Sequence, residues 1–161
     1  MMAPVELRQG GVQIVLELNE ILVPVDFSAT SRAVFVRSLT MMTGEEPVVV
    51  LLHVLDPSLA EFAEMHELGE RHDVMGGMRK RAEAQMEELR SLAEGDVEVQ
   101  PVISEGIPFY EIIRKAEEFA VDAVVMGKRG MREHPESLFF GSTAERVIRG
   151  CSQPVIVLTA T

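Results

Sequence analysis

Two groups of glycines in the second half of the chain could hold an anion with main-chain amides. Gly127 and Gly130 follow an apolar run, and Gly141 with Ser142 opens a segment that has helical spacing. Glycine permits positive φ and removes the Cβ that would keep an anion away from the backbone. The first N–H groups of a helix and the helix dipole favour negative charge. The two groups could therefore surround phosphates, with the Ser142 hydroxyl either donating to a phosphate oxygen or capping the helix.

A carboxylate follows another apolar run near the beginning of the chain. Asp26 comes directly after Ile21–Val25, and the hydroxyl of Ser28 follows it. An aspartate in this place often caps the next helix. Ligands of open parallel sheets, however, bind beyond the carboxyl ends of the strands, where the strand order reverses. With the glycines present, the sequence favours a ligand contact for Asp26 over a cap.

The overall charge restricts the partners of such a site. The chain of 161 residues has 26 acidic and 15 basic side chains, which gives a net charge of −11. A surface of this sign repels nucleic acid and anionic membranes, so we expect neither as a partner. We interpret Lys128 and Arg129 as part of the solvated face of a loop and not as counter-charges for phosphate. A small anion would then be held by backbone dipoles instead of a basic patch.

Length, cysteine content and hydropathy indicate the class of protein. The chain is long enough for one domain with a proper core, and its 47% hydrophobic and 25% charged residues are typical of a globular protein. Cys151 is the single cysteine, so no disulfide forms within a chain; we interpret it as a small, partly buried residue. The first residues lack the pattern of a secretory leader. The longest apolar stretch, Val48–Leu55, is too short to span a membrane, and we expect a cytoplasmic protein.

No arrangement of residue types predicts catalysis or a metal site. The phosphate-binding G-x4-G-K-[ST] loop of P-loop enzymes and a serine nucleophile elbow are both absent. His53 lies inside an apolar run and is predicted to be a hydrogen-bonded core histidine. His66 and His72 lack the i,i+4 spacing of metal ligands on one helix. We therefore expect binding rather than chemistry.

Apolar runs separated by helical patterns define the predicted fold. Four runs are nearly continuous rather than alternating, as in parallel strands buried on both faces: Ile21–Val25, Val48–Val54, Ala123–Met126 and Val155–Leu158. Val97–Ile103 is a fifth, weaker candidate. The alternation of strands and helices implies right-handed crossovers. The prediction is a single-domain α/β fold, an open five-stranded parallel sheet with helices on both faces, which is Rossmann-like.

Helices are predicted between the strands. The clearest has its apolar positions on one face from Met78 to Ala93 and ends at Gly95. Another follows Pro108, a residue suited to the first helical position, and the first helix begins near Ser28 to Thr30, where hydroxyls can cap it, and ends before Gly44. The last helix is predicted from Ser142–Glu145, whose residue types fit a capping box.

Two segments fit this alternation less well. Residues 56–74 are acidic and contain Pro57 and Gly69, so we interpret them as a loop that includes at most a short helix. Residues 1–18 are assigned to an N-terminal extension that precedes a nucleotide-binding domain over residues 19–161. Alternating apolar residues from Val12 to Leu18 predict a half-buried strand in this extension. The sequence leaves open whether that strand pairs at the sheet edge, pairs with another subunit or stays loose.

The glycine groups belong to a longer pattern. The run GKRGMREHPESLFFGS resembles the G-x2-G-x9-G-[ST] signature of the ATP-binding branch of the universal stress protein family. ILVPVDFS and VVVLLHVLD resemble the first two strands of that family, and GIPFYEIIRKAEE and PVIVL resemble its third helix and last strand. This resemblance covers roughly residues 20–160 in order and implies an adenine nucleotide alpha-hydrolase-like fold. In one departure, ten residues, Met131–Phe140, separate Gly130 from Gly141, where the family pattern has nine.

The resemblance also implies a ligand and the residues that hold it. The ligand is ATP, with ADP or AMP as alternatives and Mg²⁺ bound with the phosphates. By position in the motif, Asp26 faces the adenosine, and Pro24 and Val54 form the adenine and ribose pocket. The residues implied to surround the phosphates are Met126, Gly127, Gly130, Gly141, Ser142 and Thr143.

Three functions are compatible with these residues. The favoured one is an ATP-binding regulatory module of a stress response, a dimeric switch in which ATP orders the glycine loop and controls a surface for a protein partner. The alternatives are a nucleotide-free interaction protein of the same fold and a slow ATPase. The resemblance suggests in each case a homodimer through the apolar last strand, Pro154–Leu158, since soluble proteins seldom leave such an edge bare.

Overall fold

Five parallel strands form the sheet around which the chain is built. A computed structural model of the protein describes residues 6–9, 12–128 and 140–159. The strands of the sheet are β3 Glu20–Pro24, β4 Val48–Leu55, β5 Glu98–Glu105, β6 Ala123–Gly127 and β7 Val155–Leu158. Their order is β5-β4-β3-β6-β7. The predicted five-stranded parallel sheet is confirmed, and the strand bounds agree closely with the apolar runs.

Helices cover both faces of this sheet. The helices are α1 Ala29–Leu39, α2 Ser58–Met65, α3 Arg71–Arg90, α4 Pro108–Glu118 and α5 Ser142–Gly150. Side chains of α1 and α3 pack with Ile21 and Val23 of β3, whereas side chains of α4 and α5 pack with Leu22. Successive residues of β3 therefore enter two different core layers. Because both faces are covered, the inner strands β3, β4 and β6 are apolar at nearly every position rather than at alternate ones.

The starts of α1 and α4 agree with the signals in the sequence. Ser28 is the N-cap of α1, within the predicted range of Ser28 to Thr30, and Pro108 is the first residue of α4, as predicted. The acidic segment before the long helix is more helical than expected, because it contains α2 and the first turns of α3. Pro57 does not interrupt α2, since it lies at the N-cap, where a missing N–H is not needed. Gly69 falls between the two helices.

The N-terminal segment forms a small sheet of its own. β1 (Glu6–Gln9) pairs antiparallel with β2 (Val12–Val15), apart from the five-stranded sheet. A strand is thus present within residues 12–18, but its partner is the preceding strand of the same chain, which is none of the three arrangements considered above. Antiparallel neighbours need only a short connection, so this pairing requires no distant partner. The chain enters the core of the domain at Leu18, which is buried.

Asp122 joins the amino ends of β3 and β6. Its Oδ2 accepts hydrogen bonds from the backbone N–H groups of Asn19 and Glu20, at 2.9 and 2.8 Å. The Asp122 N–H donates to the Glu20 carbonyl at 2.8 Å. Ladder pairing between the two strands covers only Ile21 with Ala123 and Leu22 with Val124. The carboxylate therefore reinforces a short ladder at one end, and the carboxyl ends of β3 and β6 are left unpaired with each other.

We expect Asp122→Ala to lower the free energy of unfolding by about 1–3 kcal/mol, because two backbone donors lose a charged acceptor. Urea unfolding followed by circular dichroism measures the change. Asp96→Ala, which removes an exposed carboxylate ahead of β5, is the matched control and should leave the midpoint within experimental error. Equal midpoints for Asp122→Ala and the wild type would show that the clamp contributes nothing.

Candidate functional site

A cavity of about 500 Å³ opens at the carboxyl ends of β3, β4 and β6. The first residues of α4 and α5 and Ser31 in the first turn of α1 complete its wall. The chain runs outward from β3 to β4 and β5 and then returns to β6 on the other side of β3. The cavity therefore lies where the strand order reverses, which is the ligand position of open parallel sheets. Its volume is that of a small-molecule site.

Eight of the nine residues predicted to bind a nucleotide line this one cavity. They are Pro24, Asp26, Val54, Met126, Gly127, Gly141, Ser142 and Thr143. The ninth, Gly130, lies outside the described residues. The fold thus brings three strand ends and one helix start together. That these residues bind a nucleotide stays a prediction.

The end of β6 and the start of α5 are tied together. Gly127 closes β6, and Gly141 is the N-cap of α5. The Gly141 N–H donates a hydrogen bond to the Lys128 carbonyl at 2.9 Å. Lys128 and Gly141 are therefore close in space although a long segment lies between them in the chain. The described members of both glycine groups line the same cavity.

The predicted capping box at Ser142 is wrong. Gly141 occupies the N-cap, Ser142 is the first helical residue, and the Glu145 N–H donates to the Gly141 carbonyl at 2.9 Å. The helix begins one residue earlier because glycine is itself accepted at an N-cap. Gly141 supplies no side-chain acceptor to the first amides of α5. A helix start without such an acceptor is suited to an anion.

Asp26 organises the turn after β3 without capping α1. The N-cap is Ser28, whose Oγ accepts from the Ser31 N–H at 3.1 Å. Asp26 Oδ1 accepts from the Ser28 N–H at 3.1 Å and from the Ser28 hydroxyl at 2.5 Å. Asp26 therefore acts on the cap residue rather than on the helix amides, and the capping interpretation of Asp26 itself is wrong. Its carboxylate stays at the cavity wall.

His53 supports the same turn from the neighbouring strand. Its Nδ1 lies 2.7 Å from the Val25 carbonyl oxygen, so Nδ1 carries a proton and donates. The imidazole also stacks on the Phe27 ring, with 4.3 Å between the centroids. Phe27 has a φ of +62°, a left-handed conformation that costs a non-glycine residue about 1–2 kcal/mol. The hydrogen bond and the ring contact stabilise this conformation and hence the direction of Asp26.

His53 is hydrogen-bonded, as predicted, but it also lines the cavity and is only half-buried. Its burial lowers the pKa of the imidazole below the ordinary value of 6.5, against weaker opposing effects of the Val25 hydrogen bond and the Asp26 charge. In the neutral ring with its proton on Nδ1, Nε2 is an acceptor. The turn therefore combines a carboxylate with a neutral imidazole.

Sequence reasoning missed the wall that α4 contributes. Ile107, Phe109 and Ile112 line the cavity, and so does Arg146 of α5, whose guanidinium carbon lies 4.9 Å from the centroid of the Phe109 ring. Pro108 marks the start of α4 in the sequence, but not its position. α4 connects the edge strand β5 to β6, so its path past the reversal follows from the strand order and not from local sequence.

The remaining candidates have structural surroundings. Lys128 is absent from the cavity wall, and its ammonium lies 5.6 Å from the Phe140 ring centroid. Arg129 lies outside the described residues. Cys151 is partly buried, as predicted, and burial raises the pKa of its thiol.

Within the described ranges no group of three or more His, Cys, Asp and Glu side chains is placed to hold a metal ion. No helix in those ranges is long and apolar enough to cross a membrane.

His53→Gln tests the position of the imidazole. Because the pKa of His53 is lowered in the folded protein, the unfolded chain takes up a proton first as the pH falls below 6.5, and stability is lost from there down to the folded pKa. We expect the free energy of unfolding of the wild type to fall by at most about 1.4 kcal/mol per pH unit more than that of His53→Gln.

Urea unfolding between about pH 7.5 and about pH 5.5 measures this difference in slope. His72→Gln, which replaces a histidine whose side chain is 99% exposed, is the matched control. Identical slopes for His53→Gln and the wild type would contradict the burial of the ring.

Comparisons with known proteins give the relatives of the chain. The universal stress protein family model matches residues 17–159. Universal stress protein MJ0577 from Methanocaldococcus jannaschii is 28% identical in an alignment of 153 residues that covers 87% of this chain and 94% of that protein. The solved structure of MJ0577 has a TM-score of 0.76 and 28% identity over 89% of this chain and 97% of that chain.

Two more distant structures share the fold and hold nucleotides. A universal stress protein from Archaeoglobus fulgidus in complex with dAMP has a TM-score of 0.57 at 18% identity, over 89% of this chain and 98% of that one. A universal stress protein in complex with cAMP has a TM-score of 0.55 at 18% identity, over 90% and 99%. Since the family model spans nearly the whole domain and the sheet has the order described above, the chain belongs to the universal stress protein family.

Proposed function

We propose that the cavity binds an adenine nucleotide and that ATP is its preferred ligand. The observation that carries this proposal is the meeting, in one cavity, of the Asp26 carboxylate and the N-terminus of α5. A nucleotide needs both groups, because ribose hydroxyls donate to a carboxylate and phosphates accept from amides. The family membership of the chain and the dAMP and cAMP complexes of its relatives support the same class of ligand.

The adenosine would lie at the ends of β3 and β4. Pro24 and Val54 offer apolar contact to the base and the ribose, and Phe109 and Ile112 add apolar surface to the same cavity. Asp26 offers an acceptor to the ribose hydroxyls. Its two bonds from Ser28 hold the carboxylate in place before a ligand arrives, which lowers the entropy cost of binding.

The phosphates would lie at the end of β6 and the start of α5. Met126 and Gly127 line one side, and Gly141, Ser142 and Thr143 line the other. Gly130 is assigned to this group by the motif alone. The dipole of α5 is equivalent to about half a positive charge at this end, and its first amides supply donors. Mg²⁺ would be carried by the phosphates, as is usual for ATP.

The free edge of β7 suggests how a nucleotide would act on a partner. In the described part of the chain β7 pairs only with β6, and its four side chains are partly buried. We propose that this edge, over Pro154–Leu158, pairs with a second copy to form a homodimer. Leu158 pairs with Gly127 of the cavity wall. This adjacency supports a dimeric switch, since a ligand at Gly127 would lie next to the dimer edge. From the family of the chain we propose that the switch acts on a protein partner in a cytoplasmic stress response.

Asp26→Asn tests the adenosine end of the site. The amide keeps an oxygen for the Ser28 donors but loses the negative charge. We expect ATP at a hundredfold excess over its Kd to stabilise the wild type by about 2.7 kcal/mol. Adenosine should bind Asp26→Asn about tenfold more weakly, because a charge-assisted hydrogen bond becomes a neutral one. Thermal melts and calorimetric titration measure the two effects.

Asp96→Asn, with its side chain exposed and remote from the cavity, should bind adenosine as the wild type does. A wild type that shows no thermal shift with ATP, ADP or AMP at millimolar concentration with Mg²⁺ would overturn the proposal and favour the nucleotide-free interaction protein. Steady phosphate release from bound ATP would instead favour the slow ATPase.

Sedimentation velocity at micromolar concentration tests the homodimer. We expect the wild type to sediment as a dimer and Val155→Lys as a monomer, because a charge on an apolar edge strand opposes pairing. Leu59→Lys, at a residue of α2 that is 57% exposed, is the control and should remain dimeric. Circular dichroism verifies that each variant is folded. A monomeric wild type would contradict the proposed dimer.

A further inference from the structure

Arg146 is the only lysine or arginine among the described residues that line the cavity. It lies one helical turn after Ser142 on α5, where its Cα faces the same side of the helix. Long side chains of a helix lean back toward the N-terminus of that helix. This preference directs the guanidinium toward the first turn of α5, where the helix dipole also favours negative charge.

Phe109 orients this arginine. The guanidinium carbon lies 4.9 Å from the centroid of the Phe109 ring, within the range of a cation–π contact. Phe109 is the second residue of α4 and is itself part of the cavity wall. A planar guanidinium that stacks on a ring through one face keeps its N–H donors at the edge, where they can bind a phosphate with two parallel hydrogen bonds.

The charges around Arg146 leave its guanidinium to a ligand. Among the described residues no carboxylate lies at ion-pair distance from it, although the chain carries a net charge of −11. Arg149, one turn further along α5, is paired with Glu145 at 2.7 Å. The cavity also contains the carboxylates of Asp26 and Asp56. An anionic ligand in this cavity is therefore repelled from one part of the wall and attracted to another.

We infer that Arg146 makes the site discriminate between nucleotides by their number of phosphates, so that ATP binds more tightly than AMP does. The inference rests on the proposed function. With the ribose at Asp26 and the first phosphate at the amides of α5, each further phosphate moves negative charge away from the carboxylates. Arg146 is the cation available to those outer phosphates, and a bidentate contact with one of them strengthens binding only when they are present.

Calorimetric titration of ATP, ADP and AMP with Mg²⁺ against Arg146→Gln tests the inference. We expect Arg146→Gln to bind ATP about five- to tenfold more weakly than the wild type does and AMP nearly as tightly, which reduces the ratio of ATP to AMP affinity. Arg149→Gln, on the same helix, should keep the wild-type ratio. Arg146→Lys retains the charge without the planar fork and should recover part of the ratio.

Two further measurements separate ligand contact from helix packing. Phe109→Leu keeps apolar volume but removes the ring, so it should lower the ATP to AMP ratio less than Arg146→Gln does. The dependence of ATP affinity on salt should be weaker for Arg146→Gln than for the wild type, because one counter-charge is lost. A purely structural role of Arg146 would change neither the ratio nor the salt dependence, and urea midpoints monitor the fold of each variant.

The possible failures are distinguishable. An unchanged ratio of ATP to AMP affinity in a folded Arg146→Gln, or an equal weakening of all three nucleotides, overturns the inference and leaves the proposed function standing. A wild type that binds none of the three nucleotides overturns the proposed function, and the inference with it.

Discussion

The central strand of the sheet is paired unequally with its two neighbours. β3 pairs with β4 over its whole length, from Glu20 to Pro24, but with β6 only at Ile21 and Leu22. Asp122 holds the amino ends of β3 and β6 together, while their carboxyl ends have no ladder between them. The cavity lies at this unpaired end, and the start of α5 is fixed there through the backbone bond from Gly141. A full ladder between β3 and β6 would bring the strand ends together and reduce the space for a ligand.

Electrostatics at the cavity differs from that of the molecule as a whole. The net charge of −11 opposes an anion at long range, but at ordinary salt this repulsion is largely screened for charges more than about 10 Å away. Amides at a helix start act at hydrogen-bond distance, where local dipoles outweigh a screened field. With Asp26 and Asp56 at one part of the wall and Arg146 at another, the proposed site would discriminate between anions instead of attracting them all equally.

The turn after β3 shows how a strained backbone is stabilised at the wall of the cavity. Phe27 adopts positive φ, a conformation that an isolated chain would seldom populate. Three separate contacts stabilise this conformation: the His53 ring packs against the Phe27 ring, His53 donates to the Val25 carbonyl, and Asp26 accepts from Ser28. Residues of β3, β4 and the α1 cap thereby hold the carboxylate in one orientation. A preformed carboxylate is consistent with recognition rather than with a flexible surface loop.

Local sequence signals were enough to predict the five strands of the main sheet, the alternation of strands and helices along the chain and eight of the nineteen described residues that line the cavity. Continuous apolar runs, hydroxyls that can cap a helix and the glycine motif each involve residues that are neighbours in the chain. The tertiary structure alone decided that α4 and Arg146 reach the cavity, since their positions depend on the order of strands distant in the chain. It also decided that Gly141 rather than Ser142 caps α5, since both residues suit an N-cap and the bond from Gly141 to Lys128 selects between them. The pairing of β1 with β2 is local, but the alternating apolar residues predict only the second of these strands and do not indicate its partner.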